Sequence, residues 1–219
     1  MLQANFFDRD PIVVAKDLLG KVLRVKYKNI WLTVSIIETE AYYIHDKGSH
    51  ASLGFTQKRK ALFMPAGTIY MYYARGGDSL NISCHGEGNA VLIKSAYPYF
   101  GEKNSERMLQ TMQQLNPQKN LNIRPIEKLC SGQTLLCKSL GLKVTEWNQK
   151  TFSPRHFYME DVGYSPAKII QTTRMGIPEG RDHHLLYRFI DYAKASFCTQ
   201  NPLTKRNWQL GKDYYILNL

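Results

Sequence analysis

Two carboxylates, Glu38 and Glu40, stand two residues apart near the end of an apolar stretch, residues 31–39, and Tyr42 continues their spacing. In a strand, alternate residues share one side. A carboxylate at a strand end, facing a cleft beside an aromatic ring, can act as a general base or as a metal ligand. A solvated strand-end glutamate is the plain alternative. His50 follows a short loop later, and Tyr70, Tyr72 and Tyr73 occupy a stretch that turns at Arg75-Gly76-Gly77. Rings around a carboxylate can form a slot for a planar group, although Tyr70 and one neighbour read equally well as core filling. His45, His85, His156, His183 and His184 have no metal-ligand spacing with one another.

The elements that must hold these residues follow from periodicity and turn chemistry. Asp10-Pro11 reads as an N-cap and first helical position, with Gly20 as a stop and Ile12, Val13, Ala15, Leu18 and Leu19 as the apolar face. Residues 21–28 alternate as a half-buried strand with a polar face of Val22, Arg24, Lys26 and Lys28, and residues 31–39 predict its antiparallel partner. Residues 40–50 are expected to leave the sheet as a loop, and 55–60 (FTQKRK) to form a basic loop. Further strands are expected at 68–73, 80–84, 90–97 and 187–192, with 166–172 helping to close the core, and helices at 102–115 and 134–140. Residues 116–128 are expected to form an ordered loop or short turns. Without a repeat or linker, residues 1–219 read as a single mixed α+β domain.

The 219 residues carry a formal charge of +11, with 12% aromatic side chains. Such a charge favours polyanions through counterion release, and tyrosines can stack on bases. A merely basic protein is the plain alternative. Cys84, Cys130, Cys137 and Cys198 do not have zinc spacing, so reduced, mostly buried thiols are expected. No apolar run approaches the roughly 18 residues of a membrane helix. The start of the chain lacks a signal-peptide pattern, so a cytoplasmic location, with nucleoid association through DNA, is the expectation.

Taken together, several segments resemble the alkyladenine (3-methyladenine) DNA glycosylase family: FFDRDPIVVAKDLLGKVL, IIETEAY, HAS, TQKRKALFMPAGTIYMY, LNIS, AVLIKSAYP, KLCSGQTLLCKSLGL and TTRMGI. The resemblance implies an α+β fold with a curved, mainly antiparallel sheet core and surrounding helices, similar also to a C-terminal domain of formyltransferases. It implies a monofunctional glycosylase that flips 3-methyladenine, 7-methylguanine or hypoxanthine out of duplex DNA and hydrolyses the N-glycosidic bond, without a lyase step. Glu40 would be the general base and would stabilise charge on the sugar. Tyr42 would stack on the base, His50 and Tyr72 would close the other side, and Asn81 would exclude the guanine amino group from the pocket floor. Arg59 and Lys60 would contact phosphate. No metal, cofactor, membrane or obligatory protein partner is implied, and the protein would act as a monomer.

Two positions depart from the family pattern. Its helix wedge is commonly a tyrosine in a Y-G-M hairpin, whereas here the hairpin reads Ala74-Arg75-Gly76-Gly77-Asp78, one residue shorter. Arg75 or Tyr73 is left for that role. Lys94 stands where better-known relatives carry arginine, and it is assigned to a phosphate or to positioning the water, as a point charge instead of a planar fork. The competing readings are a non-catalytic basic nucleic-acid-binding domain and a metal-dependent nuclease built on Glu38, Glu40 and Asp46.

Overall fold

The structure is a computed structural model that describes residues 1–74, 76–101 and 105–219. Helix α1 (Ala4–Phe7) leads to α2 (Pro11–Asp17), where the Asp10 carboxylate accepts from the amides of Ile12 and Val13 at 2.8 and 3.3 Å. The buried stripe of α2 runs through Pro11, Val14, Ala15 and Leu18, while Val13 is 43% exposed. The expected face is corrected on this point: positions i, i+3, i+4 and i+7 from Pro11 define the stripe, and Val13 falls outside it.

Among the described residues nine strands form one sheet, and each strand-to-strand pairing is antiparallel. They are β1 (Val22–Tyr27), β2 (Ile30–Tyr42), β3 (Ile69–Ala74), β4 (Gly77–Ser83), β5 (Ala90–Pro98), β6 (Phe157–Glu160), β7 (Lys168–Thr172), β8 (Arg188–Asp191) and β9 (Tyr214–Asn218). The order is β3-β4-β5-β2-β8-β7-β9, with β1 on β2 and β6 on β1. Helices α3 (Ser105–Leu115), α4 (Gln133–Ser139) and α5 (Val144–Trp147) complete the α+β fold. The expected helix at 102–115 begins, within the described residues, at Ser105; positions 102–104 lie outside them. Residues 57–63, expected as a loop in part, form a 3-10 helix. Arg24 is not on an open polar face, because β6 covers that edge of β1 and Glu160 pairs with it at 2.5 Å.

The long strand β2 organises the molecule. It does not leave the sheet at Glu40: Glu40 lies opposite Leu92 of β5 on one side and Arg188 of β8 on the other. Pairing on both edges keeps the backbone extended to Tyr42, which corrects the expected loop at 40–50.

The register between β2 and β5 slips twice, between Ile36 and Glu38 and again between Glu38 and Thr39, so that Ile37 and then Lys94 are passed over. A bulge of this kind re-aims the residues beyond it. Leu32, Val34 and Ile36 face the main core, and Ile37 packs in a second cluster with Ile170 and Ile190. Past the bulge the odd positions take over the core side: Thr39 donates to the Ala15 carbonyl at 2.8 Å, and Ala41 joins the main cluster. Glu38, Glu40 and Tyr42 therefore point away from that core.

Candidate active site

A cavity of about 670 Å³ opens on the side of the sheet to which Tyr42 points. Within the range typical of small-molecule sites, it is lined by Tyr42, His50, Tyr70, Tyr72, Asn81 and Lys94. The segment 131–135 leading into α4, the loop 175–178 with Arg181, and Thr199 line it as well. Five of the six residues expected in a base pocket, Tyr42, His50, Tyr72, Asn81 and Lys94, thus share one cavity.

The sixth, Glu40, is fully buried and does not face the open space, which corrects the expectation of a carboxylate looking into a cleft. It sits directly behind the wall. One oxygen accepts from the Tyr42 hydroxyl at 2.7 Å, the other accepts from the Met175 amide at 3.0 Å, and the Lys94 ammonium lies 3.3 Å away. All three partners line the cavity. Burial alone would push the Glu40 carboxyl up. The charges of Lys94 and Arg188 and the two hydrogen bonds outweigh it, so the group is held below its ordinary value and is ionised at neutral pH.

The aromatic wall is tightly coupled. His50 meets the Tyr72 ring edge-on with centroids 4.4 Å apart, and its Nδ1 lies 2.9 Å from the Tyr70 hydroxyl. Burial, then the charges of Arg59 and Arg181, lower the imidazole pKa, so His50 is neutral. Asn81, on β4, lines the cavity and also donates to the Tyr70 carbonyl across the β3–β4 pair at 3.2 Å.

Glu38, two residues before Glu40, is engaged differently. Arg188 and the Thr199 hydroxyl reach one oxygen, each at 2.6 Å, while the Ser95 hydroxyl and the Thr199 amide donate to the other. Asp46 is ion-paired to Arg174 inside the protein. The trio Glu38, Glu40 and Asp46 is thus split among separate cations, and among the described residues no cluster of acids, histidines or cysteines is placed to hold a metal.

The chain was compared with known proteins. A model of the family described as Methylpurine-DNA glycosylase (MPG) matches residues 5–195. The chain belongs to the methylpurine-DNA glycosylase family. It is 59% identical over 217 residues to the "Putative 3-methyladenine DNA glycosylase" of Pseudomonas syringae pv. tomato, covering 99% of this chain and 97% of that protein. Proteins of the same name from Pseudomonas aeruginosa and Clostridium acetobutylicum are 56% and 34% identical, over 99% and 89% of this chain and 90% and 94% of theirs. The open, mainly antiparallel α+β sheet suits this glycosylase family.

Of the residues expected at the DNA surface, Tyr73, Arg59 and Lys60 lie outside the cavity wall. Tyr73 is 65% exposed at the end of β3, and Lys60 is exposed on the 3-10 helix at 57–63. Arg59, half-buried, donates to the Gly54 carbonyl. Arg75 lies outside the described residues. At the hairpin base Gly77 is required by a close approach, since a Cβ there would stand 2.1 Å from the Thr134 side chain. Sequence reading missed Arg174, Met175, Arg188 and Thr199. The first two sit inside TTRMGI, a segment quoted for the resemblance but given no role. Met175, Arg188 and Thr199 meet the glutamates, and Arg174 meets Asp46 and Tyr42, only through long-range contacts. Two further strands, β6 and β9, were also missed.

All four cysteines are free and buried, and burial raises each thiol pKa. No described helix is long and apolar enough to cross a membrane.

Proposed function

We propose that this protein hydrolyses the N-glycosidic bond of alkylated or deaminated purines, 3-methyladenine, 7-methylguanine and hypoxanthine, presented as a flipped nucleotide from duplex DNA. The supporting observation is the ionised Glu40 directly behind Tyr42, Lys94 and Met175, at the wall of a cavity of base-accepting shape. A purine entering the cavity stacks on Tyr42 against the opposing His50–Tyr72 pair, and Asn81 meets its edge. A water bound on the cavity side of the Lys94–Glu40 ion pair attacks the sugar C1′. Glu40 takes the water proton, and the electron pair of the glycosidic bond leaves with the base. An alkylated purine departs neutral because it carries a positive charge beforehand, whereas neutral hypoxanthine departs as an anion that takes a proton from solvent water; water activation and stabilisation of the sugar cation serve both.

Lys94 serves as a charge beside Glu40, and no amine in this scheme attacks the sugar. The abasic strand is therefore left intact. Arg59, Lys60 and the β3–β4 hairpin carrying Tyr73 and Arg75 hold the duplex, consistent with the charge of +11.

Single-turnover excision of 3-methyladenine and hypoxanthine should fall by about 10²–10⁴-fold in Glu40→Gln, the range for loss of a general base. Unchanged excision would remove Glu40 from the chemistry. A wild-type protein that binds lesion DNA but excises nothing would make it a binding domain. Strand cutting without alkali would disprove the hydrolytic end point.

A further inference from the structure

The side chain of Arg174 is completely buried, on the loop that follows β7. Its guanidinium lies 4.6 Å from the centre of the Tyr42 ring and 5.4 Å from that of Tyr187. One terminal nitrogen pairs with Asp46 and donates to the Ala41 carbonyl at 3.2 Å. The other approaches the Asp182 carbonyl at 3.5 Å. The amide of the next residue, Met175, donates to Glu40, and the Tyr42 hydroxyl donates to the other Glu40 oxygen. A closed circuit therefore runs from the guanidinium to the Tyr42 ring, to the Glu40 carboxylate, to the Met175 amide and back into Arg174.

Tyr42 lines the cavity and Arg174 does not. A buried cation therefore already sits over the ring that the proposed function gives to the purine. The face of an aromatic ring carries negative potential, and a cation over that face draws on it. Asp46 balances the charge of Arg174 overall, but the positive end of the pair is the one turned to the ring. Burial opposes the charge on Arg174, yet Asp46, Tyr42 and Glu40 all favour it, and the group stays protonated.

We propose that Arg174 is the positioning residue that sets the charge preference of the base slot: by occupying the Tyr42 ring from behind, it moderates stacking of cationic alkylated purines and leaves room for neutral lesions. This rests on the glycosylase reading of the cavity. A planar guanidinium suits the role, because it stacks on Tyr42 while its nitrogens hold Asp46 and the Ala41 carbonyl.

The test is the ratio of single-turnover excision of 7-methylguanine, a cation within DNA, to that of hypoxanthine, which is neutral. Wild type is compared with Arg174→Lys and with the double variant Arg174→Met/Asp46→Asn, which removes the ion pair without leaving a lone buried charge. In the double variant the ratio should move about twofold to fivefold toward 7-methylguanine, as loss of a competing cation–π contact of about 0.5–1 kcal/mol requires. Arg174→Lys should slow both reactions while keeping the ratio near that of wild type. A ratio unchanged in the double variant, or shifted toward hypoxanthine, overturns the proposal, and so does a shift of threefold or more in Arg174→Lys. Should the double variant not fold, Arg174→Gln/Asp46→Asn takes its place, with the same shift toward 7-methylguanine expected and an unmoved ratio overturning the proposal. A wild-type protein that excises neither base defeats the glycosylase reading itself, a result distinct from excision with an unmoved ratio.

Discussion

Glu38 and Glu40 share a strand, a face and complete burial, yet their surroundings assign them opposite work. Glu38 is saturated by Arg188, Thr199 and Ser95, of which Thr199 alone reaches the cavity wall, and these partners tie β2 to β5, β8 and the chain at 199. Glu40 has three partners, each belonging to the cavity wall. A buried carboxylate fully enclosed by fixed donors is a structural tie. One whose partners face open space can pass a proton to what occupies that space. The difference lies in where the partners point, not in how deep the acid lies.

The comparison can be broken most severely at Glu40, where Glu40→Gln should remove about 10²–10⁴-fold of excision at a smaller cost in stability than loss of Glu38, because the Lys94 it leaves behind reaches the cavity and its water. Glu38→Gln should do the reverse. It leaves the Arg188 charge without its partner, so urea melts should show a loss of about 3–5 kcal/mol, with the folded fraction keeping excision within about tenfold. Excision abolished in a stably folded Glu38→Gln protein would erase the distinction.

The acid limb of kcat/KM sharpens it further. Because the Glu40 pKa is depressed, the ionised form survives below the ordinary value of 4.5 and is lost only as pH falls through the folded-state value. Its contribution to stability follows the same window, complete above 4.5 and declining below. Lys94→Met removes the largest favourable charge and should raise that limb; a limb that stays put would show that Lys94 does not govern Glu40. The smallest effect is expected from Tyr42→Phe, which keeps the stacking ring but removes one hydrogen bond to Glu40. It should slow excision by about tenfold or less.

Much of this arrangement was legible in the sequence. The pairing of β1 with β2, the capped helix α2 and the aromatic strand β3 all follow from alternation, capping and turn residues, which are local. The grouping of Tyr42, His50, Tyr72, Asn81 and Lys94 in one cavity came from the family resemblance. What local patterns could not show are the contacts closed over more than a hundred residues. Arg174 reaches Asp46 and Tyr42 from the far end of the chain, and Arg188 reaches Glu38 across an adjacent strand. Strand β6 was missed because it is only four residues long, and β9 because its five residues, Tyr214–Asn218, are only partly buried at the sheet edge. The place of Glu40 inside the paired sheet was missed because the strand was expected to end where pairing on both sides in fact prolongs it.

The extra residue at Ile37 also means that β2 is written in two phases. Up to Ile36 the even positions carry apolar side chains for the interior; from Glu38 onward the same positions carry the acids and the ring of the cavity. A conservative exchange at Ile37 leaves both phases as they are. Deletion of that one residue would instead slide the second phase into the first, turning Glu40 and Tyr42 toward the apolar core and leaving Thr39 and Ala41 in the places of the two carboxylates. The strand should therefore accept a changed letter at this point far more readily than a missing one.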